Sequence, residues 1–273
     1  MFEKLNKDQY KSIIPLLTNS HLSLNILPVI HQTFDGEVWV DDEFDVRIAY
    51  IFDTRHGHFL VGDIEYNGSV SIEFIKNLFS TRFIGSGNFY SLLYAKDWLN
   101  LSDLENICQV TNSTKYTRQL YKYTDSTIAN WRSLIPDGFK IKPVTKNILG
   151  SKLKNFSGLF DELKYMWGNI DNFFMFGFGT CAIFDDSLAG WCLGEYFVNT
   201  TREKFFGIGI ETDPQFQKKG IATVMASMMI EMGLKKGYTI YWDCFKDNIA
   251  SSKTALKLGF NLDMEYEILE GRF

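Results

Sequence analysis

The stretch that decides the fold is IGIETDPQFQKKGIATVMASMMIEMG, residues 208–233. It opens inside an apolar run, KFFGIGIET (204–212), that reads as a strand. Asp213-Pro214 ends the strand in a turn. From Ile221 onward the apolar residues Ile221, Val224, Met225, Met228, Met229 and Met232 fall three and four apart, which predicts a helix over 217–236. The methionines of this stripe are core packing rather than a cofactor box. The helix start is different. Gly220 and Ala222 remove side-chain bulk where the first N–H groups of a helix lack partners and its positive dipole end is exposed, an arrangement that suits a pyrophosphate. Lys218 and Lys219 add positive charge there. Taken alone, Q-x-x-G-x-A is a weak pattern and reads first as an ordinary helix start after a proline turn.

Working outward, YTIYWDCF (238–245) reads as the next strand and 248–258 as the next helix. Asn248 caps that helix, with Ser251 three residues on; Gly259 fits a left-handed terminator, and FNLDMEYEIL (260–269) begins another strand. Upstream, FKIKPV (139–144), GTCAIFD (179–185) and AGWCLGEYFV (189–198) read as strands, with a helical stretch over 146–167. In the first half, 8–17 is a short helix bent at Pro15 and 20–32 a second one; GEVWV (36–40), VRIAYIF (46–52) and HFLVGD (58–63) suggest a small antiparallel meander. The segments 71–79, 88–99 and 102–108 carry helical spacing. The turn Pro136-Asp137-Gly138 places a boundary near 125–140, giving an α/β lobe over 1–130 and a second domain over 131–273. Strands followed by strand–helix–strand–helix–strand make an α/β arrangement with a mixed sheet.

The 273 residues are 45% hydrophobic and 22% charged, enough to bury a large core and too apolar for a disordered chain. No apolar run approaches a membrane span, and the polar start MFEKLNKDQYKSII lacks signal-peptide features. Cys108, Cys181, Cys192 and Cys244 are scattered, which argues against a disulfide framework or a metal site and for a reducing cytoplasm. Residues 1–130 hold 11 Lys/Arg against 16 Asp/Glu, while 131–273 hold 17 of each, so the net charge of −5 lies in the first half. A nucleic-acid surface is disfavoured. The acidic residues Asp35, Glu37, Asp41, Asp42, Glu43 and Asp45 read as a solvated hairpin rim, or else as a rim attracting a cationic substrate. All four histidines precede residue 60; His56-Gly57-His58 reads as a turn with two exposed imidazoles. Cys244 has no histidine nearby in sequence to activate it and reads as a buried thiol.

Gln217, Gly220 and Ala222, then one strand, then Asn248, Lys257, Gly259 and Phe260, resemble the two-part acyl-CoA signature of the GNAT acetyltransferase superfamily. Residues 205–260 also look like the zwittermicin-A-resistance type branch; the resemblance extends back to 139 and leaves 1–130 as a separate α/β lobe or a degenerate GNAT-like half.

The resemblance implies a GNAT-like domain at the C-terminus that binds acetyl-CoA, without a metal, in a wedge between strands 204–212 and 238–245. Main-chain groups near Ile210 and Thr212 would meet the pantetheine. The amides of 217–223 (Gln217, Lys218, Lys219, Gly220, Ile221, Ala222 and Thr223) would take the pyrophosphate, with the Thr223 hydroxyl beside them, and Asn248 would bond the pantetheine arm. It implies acetyl transfer to a primary amine of a small molecule by direct attack on the thioester. A base must then take a proton: Glu211 is the first candidate and Asp243 the second. The family's usual tyrosine, seven residues after the helix asparagine, is Ala255 here, and the usual final strand is either missing or supplied by the N-terminal half. The alternative functional reading is an acyl-CoA sensor or degenerate domain without turnover. The sequence names neither the acceptor amine nor the oligomeric state, and expects no nucleic-acid or membrane partner.

Overall fold

The apolar alternation of GEVWV, RIAYIF and HFLVG becomes a three-stranded antiparallel meander. The computed structural model describes residues 2–17, 21–55, 57–62, 72–94, 113–124 and 130–273. They divide into two compact units, Met1–Arg118 with Glu265–Phe273, and Gln119–Met264.

In the first unit a two-residue strand β1 (Glu3–Lys4) precedes a 3-10 turn, Tyr10–Leu17, that holds Pro15. Helix α1 (Ser23–Ile30) is buried nearly all round. The meander is β2 (Gly36–Val40), β3 (Ile48–Asp53) and β4 (Gly57–Gly62), and β4 is joined in parallel by β5 (Phe89–Tyr94). Residues 268–272 of the final strand, β12 (Phe260–Arg272), pair antiparallel with β5. The acidic rim is turn chemistry. Asp42 accepts the N–H groups of Phe44 and Asp45, Asp41 those of Arg47 and Ile48, and Glu37 pairs with Lys4 and Arg82.

Two expectations fail in this unit. The segment 88–99 is not helical where described: Phe89–Tyr94 is a strand flanked on both sides, and such a strand reads as a continuous apolar run that spacing alone cannot tell from a helix. His58 is not an exposed turn residue. It lies in β4 opposite Phe52 and hydrogen-bonds the buried Tyr50 hydroxyl, with Phe52, Phe79 and Phe83 around its ring at centroid distances of 4.8, 5.0 and 5.1 Å. Burial and then the nearby Arg82 charge hold its pKa down at about 3. His56, Cys108 and the expected helix at 102–108 lie outside the described residues.

The second unit takes residues 119–123 of β6 (Thr114–Tyr123). It continues through β7 (Phe139–Pro143), α2 (Lys146–Leu149), α3 (Ser157–Trp167), α4 (Ile170–Phe176), β8 (Gly179–Phe184), β9 (Ser187–Asn199) and β10 (Lys204–Thr212). Then come α5 (Ile221–Lys235), β11 (Thr239–Phe245), α6 (Ile249–Lys257) and the first five residues of β12. Strands β7 to β10 form an antiparallel meander and β11 joins β10 in parallel, so the sheet is mixed, in the order β12-β6-β11-β10-β9-β8-β7.

The helical stretch expected over 146–167 is broken in two. Lys154 bridges to Ser187, its N–H donating to Asp186 O and its carbonyl accepting from Leu188 N–H, and Asn155 has φ +58°. Helix α4, capped by Asn169, was not foreseen. The strand beside β11 is β6, residues that precede the boundary expected from Pro136-Asp137-Gly138; the chain then leaves the second unit at Met264, inside β12. Among the described residues no helix is long and apolar enough to cross a membrane.

Candidate active site

Strand β10 is shared unequally between its neighbours. Its parallel pairing with β11 runs from Phe205↔Thr239 to Ile208↔Trp242, whereas its antiparallel pairing with β9 continues to Thr212↔Gly190. The C-terminal ends of β10 and β11 therefore part, and a cavity of about 620 Å³ fills the opening. Ile210, Glu211 and Thr212 line it from β10 and Trp242 from β11.

The loop between β10 and α5 lines one end of the cavity. Asp213 accepts the Gln215 N–H at 3.0 Å, Phe216 is buried within ring-contact distance of Phe139 and Phe184, and Gln217 Nε2 donates to Thr212 O at 3.1 Å. Lys218 (φ +61°) and Gly220 (φ +83°) both take left-handed backbone, which turns the chain into the helix. Gly220 is the N-cap residue, so α5 has no side-chain cap on its first-turn N–H groups. A Cβ at Gly220 would meet nothing within 4 Å; it would stand in the open space that Gly220, Ile221, Ala222 and Thr223 line. An uncapped helix start bordered by Gln217 and Lys218 fits a pyrophosphate. Lys219 lies elsewhere. Its ammonium sits 5.4 Å from the Phe216 ring centroid, and it is not among the cavity's lining residues.

Helix α6 closes the other side with Asn248, Ser251 and Thr254. Asn248 caps the helix through Oδ1, which accepts the Ser251 N–H at 3.1 Å. The Thr254 hydroxyl donates to Ala250 O at 2.8 Å, whereas Ser251 Oγ accepts the indole N–H of buried Trp242 at 2.8 Å and so keeps its own proton to give. Ala255, where the resemblance leads one to expect a tyrosine, is fully buried.

A second, smaller cavity of about 120 Å³ adjoins the first and shares Ile210 and Glu211 with it. Trp191 and Leu193 wall it, and three carboxylates from three elements border it: Glu162 of α3, Glu195 of β9 and Glu211 of β10. Two glycines make this possible. Gly158 seats α3 against Trp191, whose ring a Cβ there would approach to 2.7 Å, and Glu162 follows four residues later on the same helix face. Gly209 leaves bare the backbone across which the Glu195 carboxylate lies. Glu211 is exposed; Glu162 is half-buried, and its pKa is raised by burial and then by the Glu211 charge.

Glu211 thus sits where the two cavities meet. Asp243 does not line either one: it follows Trp242, which faces the large cavity, and adjacent strand residues alternate faces. Cys244 is a buried thiol with Sγ 3.6 Å from Ser252 Oγ. Trp167 and Phe173 are fully buried in the core, whereas Trp191 and Glu195 border the small cavity. Sequence reasoning does not single out Glu162, one of two adjacent acids on a helix, whose only local signal is the glycine four residues before it. Among the described residues no group of three or more His, Cys, Asp and Glu is placed to hold a metal ion.

Solved structures share this fold. The GCN5-related N-acetyltransferase-like protein of Streptococcus suis 89/1591 is 20% identical, with a TM-score of 0.70 over 97% of this chain and 99% of that one. A tandem GNAT protein from the clavulanic acid biosynthesis pathway is 11% identical, with a TM-score of 0.62 over 100% and 98% of the two chains. In sequence, the uncharacterized N-acetyltransferase YdfB of Bacillus subtilis (strain 168) is 22% identical over 269 residues, 98% of each chain. The GNAT acetyltransferase family model matches residues 16–269, a span that takes in the parted strands, the uncapped helix start and the Asn248 helix alike, and with that match the chain belongs to the GNAT acetyltransferase family.

Proposed function

We propose that this protein moves an acetyl group from acetyl-CoA to a primary amine of a small molecule in the cytoplasm. The observation that carries the proposal is the cavity between β10 and β11, ending on the uncapped start of α5. The amides of 221–223, with Gln217 and Lys218 beside them, would hold the pyrophosphate, and the Thr223 hydroxyl lies within the same lining. The edge of β10 at Ile210 and Thr212, which β11 has left, offers main-chain groups to the pantetheine, and Asn248 offers its amide N–H from across the cavity. When bound, acetyl-CoA supplies an acyl carbon open to attack by a neutral amine and a thiolate able to leave. A carboxylate beside Ile210 takes the amine's proton; Glu211 lines both cavities, whereas Asp243 lines neither. Ser251 offers a hydroxyl proton toward the departing sulfur in the absence of a tyrosine at 255. The three carboxylates that border the small cavity support a small cationic acceptor. Within the family, the tract over 205–260 supports the zwittermicin-A-resistance type branch.

The test is calorimetric titration of acetyl-CoA, joined to thiol release with a panel of primary amines (spermidine, glucosamine, 1,6-diaminohexane). Gly220→Val should weaken binding by about 10–100-fold in a folded protein, because a branched side chain would both strain the left-handed backbone and occupy the cavity. Wild-type affinity in Gly220→Val would remove the pyrophosphate from this loop.

A further inference from the structure

Resting on that reading, we infer that Glu162 of α3 is the group that accepts the acceptor amine's proton, and that Glu211 is a positioning residue acting through it. Both carboxylates border the small cavity, which has Ile210 and Glu211 in common with the lining of the wedge. Their surroundings differ. Glu211 is exposed at the end of β10, where water solvates its charge, whereas Glu162 is half-buried beside Trp191 and Leu193. A carboxylate in the drier place holds a proton more readily at neutral pH and so is the more effective base. The groups facing Glu162 are Glu195 from β9 and Glu211 from β10. Of its neighbours on and beside α3, Lys164 lies over the Phe160 ring and Asp171 pairs with Lys146, while Asp161 is exposed. Glu211's negative charge adds to the effect of burial in raising Glu162's proton affinity.

An ammonium entering the small cavity gives one proton to the Glu162 carboxylate and becomes a neutral amine. Its nitrogen lone pair forms the N–C bond, the C–S bond breaks with its electron pair leaving on sulfur, and the nitrogen's surplus proton ends on that sulfur. Glu162 then returns its proton to solvent.

Two readouts test this on the full chain. The first is carboxyl NMR titration of protein labelled with 13C-glutamate and saturated with CoA. One carboxyl should titrate above the usual carboxylate range, vanish in Glu162→Gln and move to lower pH in Glu211→Gln. The second is turnover with the fastest amine of the panel or, where none reacts, the slow hydrolysis of acetyl-CoA, whose water must be deprotonated in the same cavity. Glu162→Gln should lower kcat roughly 100-fold and abolish the rising acidic limb of the pH profile, with acetyl-CoA affinity unchanged. Glu162→Asp should restore the limb at reduced rate. Glu211→Gln should keep the limb but shift it to lower pH. A limb lost in Glu211→Gln and kept in Glu162→Gln would overturn the assignment while leaving acetyl transfer standing. So would a CoA-bound protein in which every elevated carboxyl, that of the half-buried Glu270 among them, persists in Glu162→Gln. A wild-type protein that neither binds nor consumes acetyl-CoA would overturn both.

Discussion

The two units run the same course and put it to different use. In each, an antiparallel meander is followed by a helical segment and then by a strand that joins the meander in parallel: β2-β3-β4 with β5 in the first, β8-β9-β10 with β11 in the second. In the first unit, among the described residues, aromatic rings cluster at the parallel pair. His58 of β4 is caged by Phe52, Phe79, Phe83, Tyr90 and Phe273. In the second, β10 and β11 part and a 620 Å³ cavity takes the place of such a cluster. The connections agree with this contrast. After β4 the sequence reads DIEYNGSVS (63–71), with two acids and no base, while the stretch between β10 and α5 carries Lys218 and the left-handed Gly220. A shared strand order is thus no guarantee of a shared site. The ligand end depends on a few loop residues and on where one strand stops pairing.

The comparison can be broken most severely by separating the parts. A chain of residues 131–273 lacks β6, which lies beside β11 in the second unit, and would leave β11 with an open edge. It should aggregate on expression; a dispersed fragment with a cooperative melting transition would show that β6 is dispensable.

Acid should sharpen the contrast next, because all four histidines belong to the first unit. Burial holds His21 at about 4, and burial with the Arg82 charge holds His58 at about 3, against about 6.5 in an unfolded chain. Between those values the unfolded state binds more protons than the folded one. Stability should therefore be full above about pH 6.5 and fall as pH drops toward 3, by up to about 1.4 kcal/mol per pH unit for each histidine. Thermal melting at pH 7 and pH 5 should show the loss, and His58→Phe should remove roughly half of it. An equal acid slope in His58→Phe would place the sensitivity elsewhere.

The smallest effect belongs to Ser251. Ser251→Ala removes the proton offered to the sulfur and leaves the Trp242 indole N–H without its acceptor. It should lower kcat about 3–10-fold and stability by about 1 kcal/mol, with acetyl-CoA affinity nearly unchanged. Unaltered kcat with lowered stability would confine Ser251 to holding Trp242.

What could be read from residues alone follows from how local each signal is. The strand 204–212, the turn at Pro214 and the helix from Ile221 are encoded within one short stretch, and Gln217, Gly220, Ala222 and Asn248 lie where that stretch and its successor put them. Other features depend on distant partners. Phe89–Tyr94 is a strand because it lies between β4 and β12, the latter some 175 residues later. His58 is buried because rings distant in sequence, up to Phe273, pack around it, and Tyr50 on the neighbouring strand satisfies its Nδ1. Glu162 joins the site because Gly158 lets its helix close on Trp191, a contact between segments more than thirty residues apart.

That late strand also sets a timetable for the chain's synthesis. Ile268 pairs with Leu93, so β5 is made long before the partner that covers its edge. At about 5–20 residues per second, the first unit spends roughly 10–35 s on the ribosome with a row of hydrogen-bonding groups still waiting. The nascent first unit is therefore the stage at which this chain is most open to pairing with a neighbour, and it ends only once nearly all of the second unit has been translated.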